Sequence, residues 1–294
     1  MSQSTANDRV GQIAAHLAAV GPSLKDKVCI VTGAGSLYGI GRATVYALAR
    51  RGPKVIYATD LGVDSLEELA KDVEAQYPGV QVIPRAVNAA KTADVTGIID
   101  DAINKFGRLD VFFANAGIAT GNTLQNEDEE SFMTMMRINA LSAFLACRYA
   151  GPAMQITGKG SKERSGGSII CTASVAGIRS GAGSPEYSAS KAAVINLCQT
   201  SSFQYAGTDV RVNAMCPGLI ETGMTKGTFD YARQKGSAHK IGQLNPTRRY
   251  GVASEIANVV AFLASEEASY VNGQAIAVDG GLSASHPVVP GRFH

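Results

Sequence analysis

Two hydrophobic rhythms alternate along this chain. Short apolar runs without polar interruption, beginning with KVCIVT at 27–32, give way to stretches in which apolar residues recur every three or four positions, beginning with IGRATVYALARRG at 40–52. An unbroken run of Val and Ile predicts a strand buried on both faces, and the longer spacing predicts an amphipathic helix. By the same reading KVIYATD, VQVIPRAV, LDVFFANAG, GSIICTAS, VRVNAMCPG and QAIAVDGG are strands. DSLEELAKDVEAQY, TADVTGIIDDAINKFG, a long stretch over about 128–148, YSASKAAVINLCQTSSFQYAG and SEIANVVAFLAS are the helices between them.

Strands without polar alternation, each followed by a helix, specify an α/β fold: a single doubly wound parallel sheet, Rossmann-type, with helices on both faces. No Pro/Ser linker or break in composition divides it, so residues 23–285 are expected to form one domain. Residues 1–22 are a helical extension, with Val10, Ile13, Leu17 and Val20 on one face of a helix over 8–20 and Gly21-Pro22 stopping it. Residues 286–294 are a tail, and QITGKGSKERSGG at 155–167 reads as a solvated loop.

Composition narrows the function classes. A net charge of +2 in 294 residues gives no bias toward nucleic acid or a membrane surface. No apolar run reaches the ~20 residues of a membrane span, and the N-terminus lacks a secretory pattern, so a cytoplasmic location is expected. Cys29, Cys147, Cys171, Cys198 and Cys216 are scattered without metal-ligand spacing and read as reduced core thiols, with no metal site.

Chemistry enters at TGAGSLYGIG, 32–41, between the first strand and the first helix. Gly33, Gly35, Gly39 and Gly41 fall within nine positions, although Tyr38 stands where the third glycine of GxGxxG belongs. Glycines let backbone amides approach phosphate oxygens, and the helix N-terminus that follows favours negative charge, so this turn is a phosphate cradle. Further on, YSASK puts Tyr187 and Lys191 four apart on one helix face, Ser174 lies thirteen residues before Tyr187, and Asn139 sits within the long helix.

Together with NAG at 115–117, PG at 217–218 and VDGG at 278–281, these motifs make the chain from about Lys27 to Leu282 resemble the short-chain dehydrogenase/reductase family. The resemblance implies that Tyr187 is the general acid/base, exchanging a proton with a carbonyl or alcohol oxygen. A free tyrosine titrates near ~10, too high for a base at neutral pH, and Lys191 is expected to lower it. Lys191 also holds the nicotinamide ribose in the family, Ser174 bonds the substrate oxygen, and Asn139 anchors a water leading to Lys191. The same resemblance implies cofactor contacts from Gly33, Gly35, Ser36, Gly39, Ile40, Asp60, Leu61, Asn88, Asn115, Ala116, Gly117, Tyr187, Lys191, Pro217, Gly218, Ile220 and Thr222. Asn88 stands where the family commonly has an aspartate reading the adenine.

Asp60, at the end of the second strand, accepts hydrogen bonds from ribose hydroxyls but repels a 2′-phosphate, by roughly 1 to 4 kcal/mol for charges about 4 Å apart. Neither Leu61 nor Ser36, Leu37 and Tyr38 offers a cation, so NAD is favoured over NADP, Arg42 being the one nearby base that could favour NADP. Against the common TGxxxGIG pattern the turn carries two extra residues, most simply Leu37 and Tyr38, expected to bulge outward past the adenosine ribose. Longer turns occur in enoyl-thioester reductases of the superfamily, but their tyrosine and lysine are seven apart, and here that position is Val194. A second YxxxK, Tyr231 with Lys235, lacks a serine-ended strand before it and falls in the variable substrate lid, 222–245.

The function expected is hydride transfer between a nicotinamide cofactor and a medium-sized secondary alcohol or ketone. The alternatives are a non-catalytic dinucleotide-binding scaffold and a family member doing non-redox chemistry in the same site. Family subunits pair through the long helix and the tyrosine-bearing helix, here rich in small residues at Ala189, Ala192 and Ala193, so a homotetramer is expected.

Overall fold

The computed structural model describes residues 23–285; the helix expected over 8–20 and the tail from 286 lie outside the described residues. The strands are β1 (Val28–Thr32), β2 (Val55–Asp60), β3 (Gln81–Ala86), β4 (Val111–Ala114), β5 (Gly167–Thr172), β6 (Val210–Pro217), β7 (Ile220–Glu221), β8 (Gly251–Val252) and β9 (Ala275–Val278). The helices are α1 (Ile40–Ala49), α2 (Asp64–Gln76), α3 (Thr92–Phe106), α4 (Glu129–Met135), α5 (Ser142–Met154), α6 (Pro185–Gln204), α7 (Lys226–Gln234) and α8 (Ala253–Ala264).

Seven strands form one sheet in the order β3-β2-β1-β4-β5-β6-β9, every pair parallel. Both faces are covered, as the unbroken apolar runs require. Val28 and Ile30 of β1 pack with α3, α5 and α6 on one face, while Cys29 and Val31 pack with α1, α2 and α8 on the other. The strand order reverses between β1 and β4, the point at which such a sheet opens a crevice at the carboxyl ends of its strands. Among the described residues no helix is long and apolar enough to cross a membrane.

Two expectations are corrected. The long helix is interrupted: α4 begins at the Asp128 cap, a π turn occupies Met136–Leu141, and α5 runs on to Met154 through Pro152. Nor is 155–167 simply a solvated loop. Lys162 is buried, and its Nζ donates to the carbonyls of Leu109, Met154 and Gly166 at 2.7, 2.7 and 2.8 Å. That side chain pins the loop against the amino ends of β4 and β5. All five cysteines are free and buried, with Cys147 and Cys171 sulfurs 3.9 Å apart.

Candidate active site

The glycine turn lies at the reversal point, and its glycines are there for space. Gly33 has φ +68°, and a Cβ on it would stand 2.9 Å from Ala116 Cα. A Cβ on Gly41 would come within 2.2 Å of the Gly33 carbonyl oxygen, so this position accepts no side chain, a constraint the motif reading passed over. Gly39 is extended at φ −80°; its need is steric, a Cβ meeting Ser36 Cβ at 2.9 Å, and involves no positive φ. No side chain caps α1, which leaves its first amides for an anion. Asp60 anchors the turn from β2, accepting from the Gly35 and Leu61 amides, both at 2.8 Å. These are the features of a dinucleotide cradle, and the residues fit the diphosphate and ribose of a nicotinamide cofactor.

Leu37 and Tyr38 point outward, 60% and 72% exposed. They stand with Arg42, Tyr46, Thr222 and Lys226 around a cavity of about 830 Å³ between α1, α7 and the start of α8. Arg42 is buried and directed toward α2, bonding the Ser65 carbonyl at 3.2 Å with Asp72 4.0 Å away.

Several motif residues serve the scaffold as well as the crevice. The Asn115 amide donates to the carbonyls of Thr32 and Gly33 and accepts from the Thr172 hydroxyl, lacing β1, β4 and β5 together. Ala116 donates to the Thr32 hydroxyl. Gly117 is pressed against the pair behind it: a Cβ there would lie 3.0 Å from Asn139 Oδ1 and 3.4 Å from Lys191 Nζ. Asn88, after β3, spends its side-chain oxygen on the Ala90 amide. Pro217 ends β6, Gly218 lies flush on Asp279, Ile220 is buried, and Thr222 donates its amide to Thr225.

The other wall carries the proposed chemistry. Ser174 lies two residues past β5 in extended backbone and accepts from the Ala176 amide at 3.1 Å. Tyr187 follows Pro185 on the first turn of α6, with Lys191 one turn later, its Nζ 5.6 Å from the Tyr187 ring centre and 2.8 Å from the Thr172 carbonyl. Burial pushes the Tyr187 hydroxyl above its ordinary value, with the Ser174 hydroxyl pulling the other way. Burial likewise lowers Lys191 to about 8. The Lys191 amine is turned to the Thr172 carbonyl, and burial is the larger influence on the phenol.

Asn139 sits in the π turn, which re-aims its side chain. Its amide grips both main-chain groups of Ile118, accepting from N at 2.9 Å and donating to O at 3.0 Å, and also donates to Ser190. These partners tie the Asn139 side chain to Ile118 and to α6. Tyr231 lies on α7 and is 63% exposed.

Residues 33–283 match the family model described as enoyl-(acyl carrier protein) reductase. A 3-oxoacyl-[acyl-carrier-protein] reductase of Thermotoga maritima is 38% identical over 259 residues, spanning 88% of this chain and 98% of the relative. The crystal structure of levodione reductase superposes with a TM-score of 0.81 at 34% identity, covering 90% of this chain and all of that one. This chain is a short-chain dehydrogenase/reductase. L-sorbose reductase from Gluconobacter frateurii, solved with NADPH and L-sorbose, matches at a TM-score of 0.79 and 28% identity over 88% of this chain and 97% of that one.

Membership of the short-chain dehydrogenase/reductase family makes the chain an NAD(P)-dependent oxidoreductase of alcohol and carbonyl groups. Two residues the motifs did not announce stand between the named site residues: Thr172 joins Lys191 to Asn115, and Ser190 joins Asn139 to the Tyr187 carbonyl. Ser190 and Thr172 flank the named residues in sequence, so proximity was the only available signal.

Proposed function

We propose that this short-chain dehydrogenase/reductase interconverts a medium-sized secondary alcohol and its ketone with NAD as the preferred cofactor. The observation that carries this reading is Tyr187 set between Ser174 and Lys191 beside the glycine cradle. Tyr187 gives its phenolic proton to the carbonyl oxygen in reduction and takes one back in oxidation. Ser174 donates to the same oxygen and orients it, and Lys191 holds positive charge behind the phenol while reaching toward the cradle. When bound, the nicotinamide cofactor supplies or accepts the hydride. Lys191 lies four residues after Tyr187, and Val194, at the enoyl-reductase spacing, is fully buried, which supports carbonyl over C=C chemistry.

Asp60 supports NAD. No base among the described residues forms an ion pair with it, and Arg42, the one candidate clamp, is occupied by α2. L-sorbose reductase was solved with NADPH, so the preference is a property of this chain's own residues and is tested directly. A panel of secondary alcohols assayed with both cofactors should give higher kcat/KM with NAD, and Asp60→Ala should narrow the gap. Equal values, or a preference for NADP, would overturn the assignment; cofactor binding without turnover of any alcohol or ketone would point to the scaffold alternative. Exposed Ala189 and Ala192 on α6 allow close helix approach, supporting a homotetramer, which sedimentation of the purified chain tests.

A further inference from the structure

Glu186 immediately precedes Tyr187 and is fully buried. Its Oε1 accepts from the Ser184 hydroxyl at 2.5 Å and from the hydroxyl of Thr120, an exposed residue of the segment that follows β4. That segment is already held two residues earlier, where Asn139 grips Ile118. The wall of the crevice is thus fastened at Ile118 to the π turn and at Thr120 to the helix that carries the phenol.

Ser184 extends the connection to the ring itself. Its neighbour Gly183 lies so close that a Cβ there would stand 2.8 Å from Tyr187 Cδ1, and the Ser184–Glu186 bond keeps that backbone folded against the ring. Burial raises the Glu186 carboxyl, but the Ser184 and Thr120 hydroxyls and its own main-chain amide outweigh it, holding the group below the usual carboxylate range. A buried carboxylate is costly, and this one is only half used. Its Oε2 is buried without a hydrogen-bond partner, and so is Oε1 of Glu127, the carboxylate that bears on it from the far end of the same segment. The second Glu127 oxygen accepts from Asn122 at 2.7 Å.

We propose that Glu186 is a positioning residue for proton transfer: by holding Thr120 and Ser184 together it fixes the crevice wall and Gly183 against the Tyr187 ring, and so sets the phenol against Ser174. The inference rests on Tyr187 being the proton donor. It differs from a generic fold contact in predicting loss of rate with the cofactor cradle intact, because Glu186 touches nothing in the glycine turn.

The test compares Glu186→Ala, Glu186→Gln and Thr120→Val with wild type, using the best alcohol of the panel, calorimetric titration with NAD, and amide exchange over 117–122 and 183–190. Glu186→Ala should lower kcat about tenfold or more, leave NAD affinity within about twofold, and speed exchange in both segments. Glu186→Gln should recover most of the rate, since an amide oxygen accepts the same two hydroxyls and its N–H can serve the unpartnered Glu127 oxygen. The alkaline absorbance titration of Tyr187, taken as the difference from Tyr187→Phe, should move to lower pH in Glu186→Ala as the loosened ring gains water. Wild-type kcat in Glu186→Ala, or a Gln variant as slow as Ala, overturns the proposal. Should Glu186→Ala not fold, Thr120→Val at its exposed site must still slow turnover and speed exchange over 117–122, and failure to do so has the same force. If wild type turns over no alcohol, the proposed function falls, while exchange and the Tyr187 titration still decide the clamp.

Discussion

Lys162 Nζ lies 3.7 Å from Asp110 Oδ1, a buried ion pair at the end of the sheet opposite Tyr187. Asp110 also receives Arg108 through Nε and Nη2, at 2.8 and 2.9 Å, and the Val28 amide at 2.9 Å. Lys162→Met would take this donor from the Leu109 and Gly166 carbonyls, leave the Met154 carbonyl with the Gly166 amide, and leave Asp110 with one cation fewer. A loss of about 2–4 kcal/mol in urea unfolding is expected, with turnover per folded molecule unchanged. Unaltered stability would mean that the loop over 155–167 is held by something else.

Tyr187→Phe should abolish turnover and leave NAD binding nearly intact, since it removes one transferable proton and little packing. Tyr231→Phe, at a 63% exposed position on α7, should retain most activity. Kinetics of the two variants side by side distinguish the YxxxK that does chemistry from the one that does not.

Lys191, lowered by burial to about 8, carries its charge below that pH and loses it above. The kcat/KM of ketone reduction, which reports the free enzyme, should therefore fall as pH rises through about 8, and Lys191→Arg should move any remaining fall upward. Stability has its own signature. The unfolded chain binds this proton up to the ordinary value of 10.5, so between about 8 and 10.5 the folded state gains stability from Lys191 as pH rises. Lys191→Met should lack that component in thermal unfolding followed across the same window.

Gly41→Ala should weaken NAD binding by more than about a hundredfold, because its methyl group would meet the Gly33 carbonyl at 2.2 Å and displace the turn. Deleting Leu37 and Tyr38, whose side chains face the cavity beside α7, should cost less than about tenfold, or roughly 1.4 kcal/mol. Calorimetric titration of both measures the contrast; a deletion that eliminates binding would make the longer turn part of the cradle.

What could be read from sequence, and what could not, divides by the range of the interaction. β1 through β6 and β9, with the helices between them, follow from apolar spacing because each is decided by its own residues and a buried sheet. Tyr187, Lys191 and Ser174 are legible because spacing within one helix, and from a strand end to it, fixes their relation. Lys162 reads as one lysine of a polar loop, and only the carbonyls of Leu109, Met154 and Gly166 converging on it explain its burial. Glu186 reads as a favourable acid in a helix first turn, and its tie to Thr120, sixty-six residues away, has no local mark. The π turn at Met136–Leu141 has no compositional sign either, since MRINAL carries no Gly or Pro to mark a break in the helix.

The burial of all five sulfurs has a practical consequence for watching this molecule move. A thiol reagent meets no native cysteine on the folded surface, so a single cysteine introduced at Tyr231 would be the first to react and would carry a fluorophore on α7 alone. The native thiols would then react only as the core opens, so one labelling time course would tag α7 at once and report opening of the sheet core by the slow phase that follows.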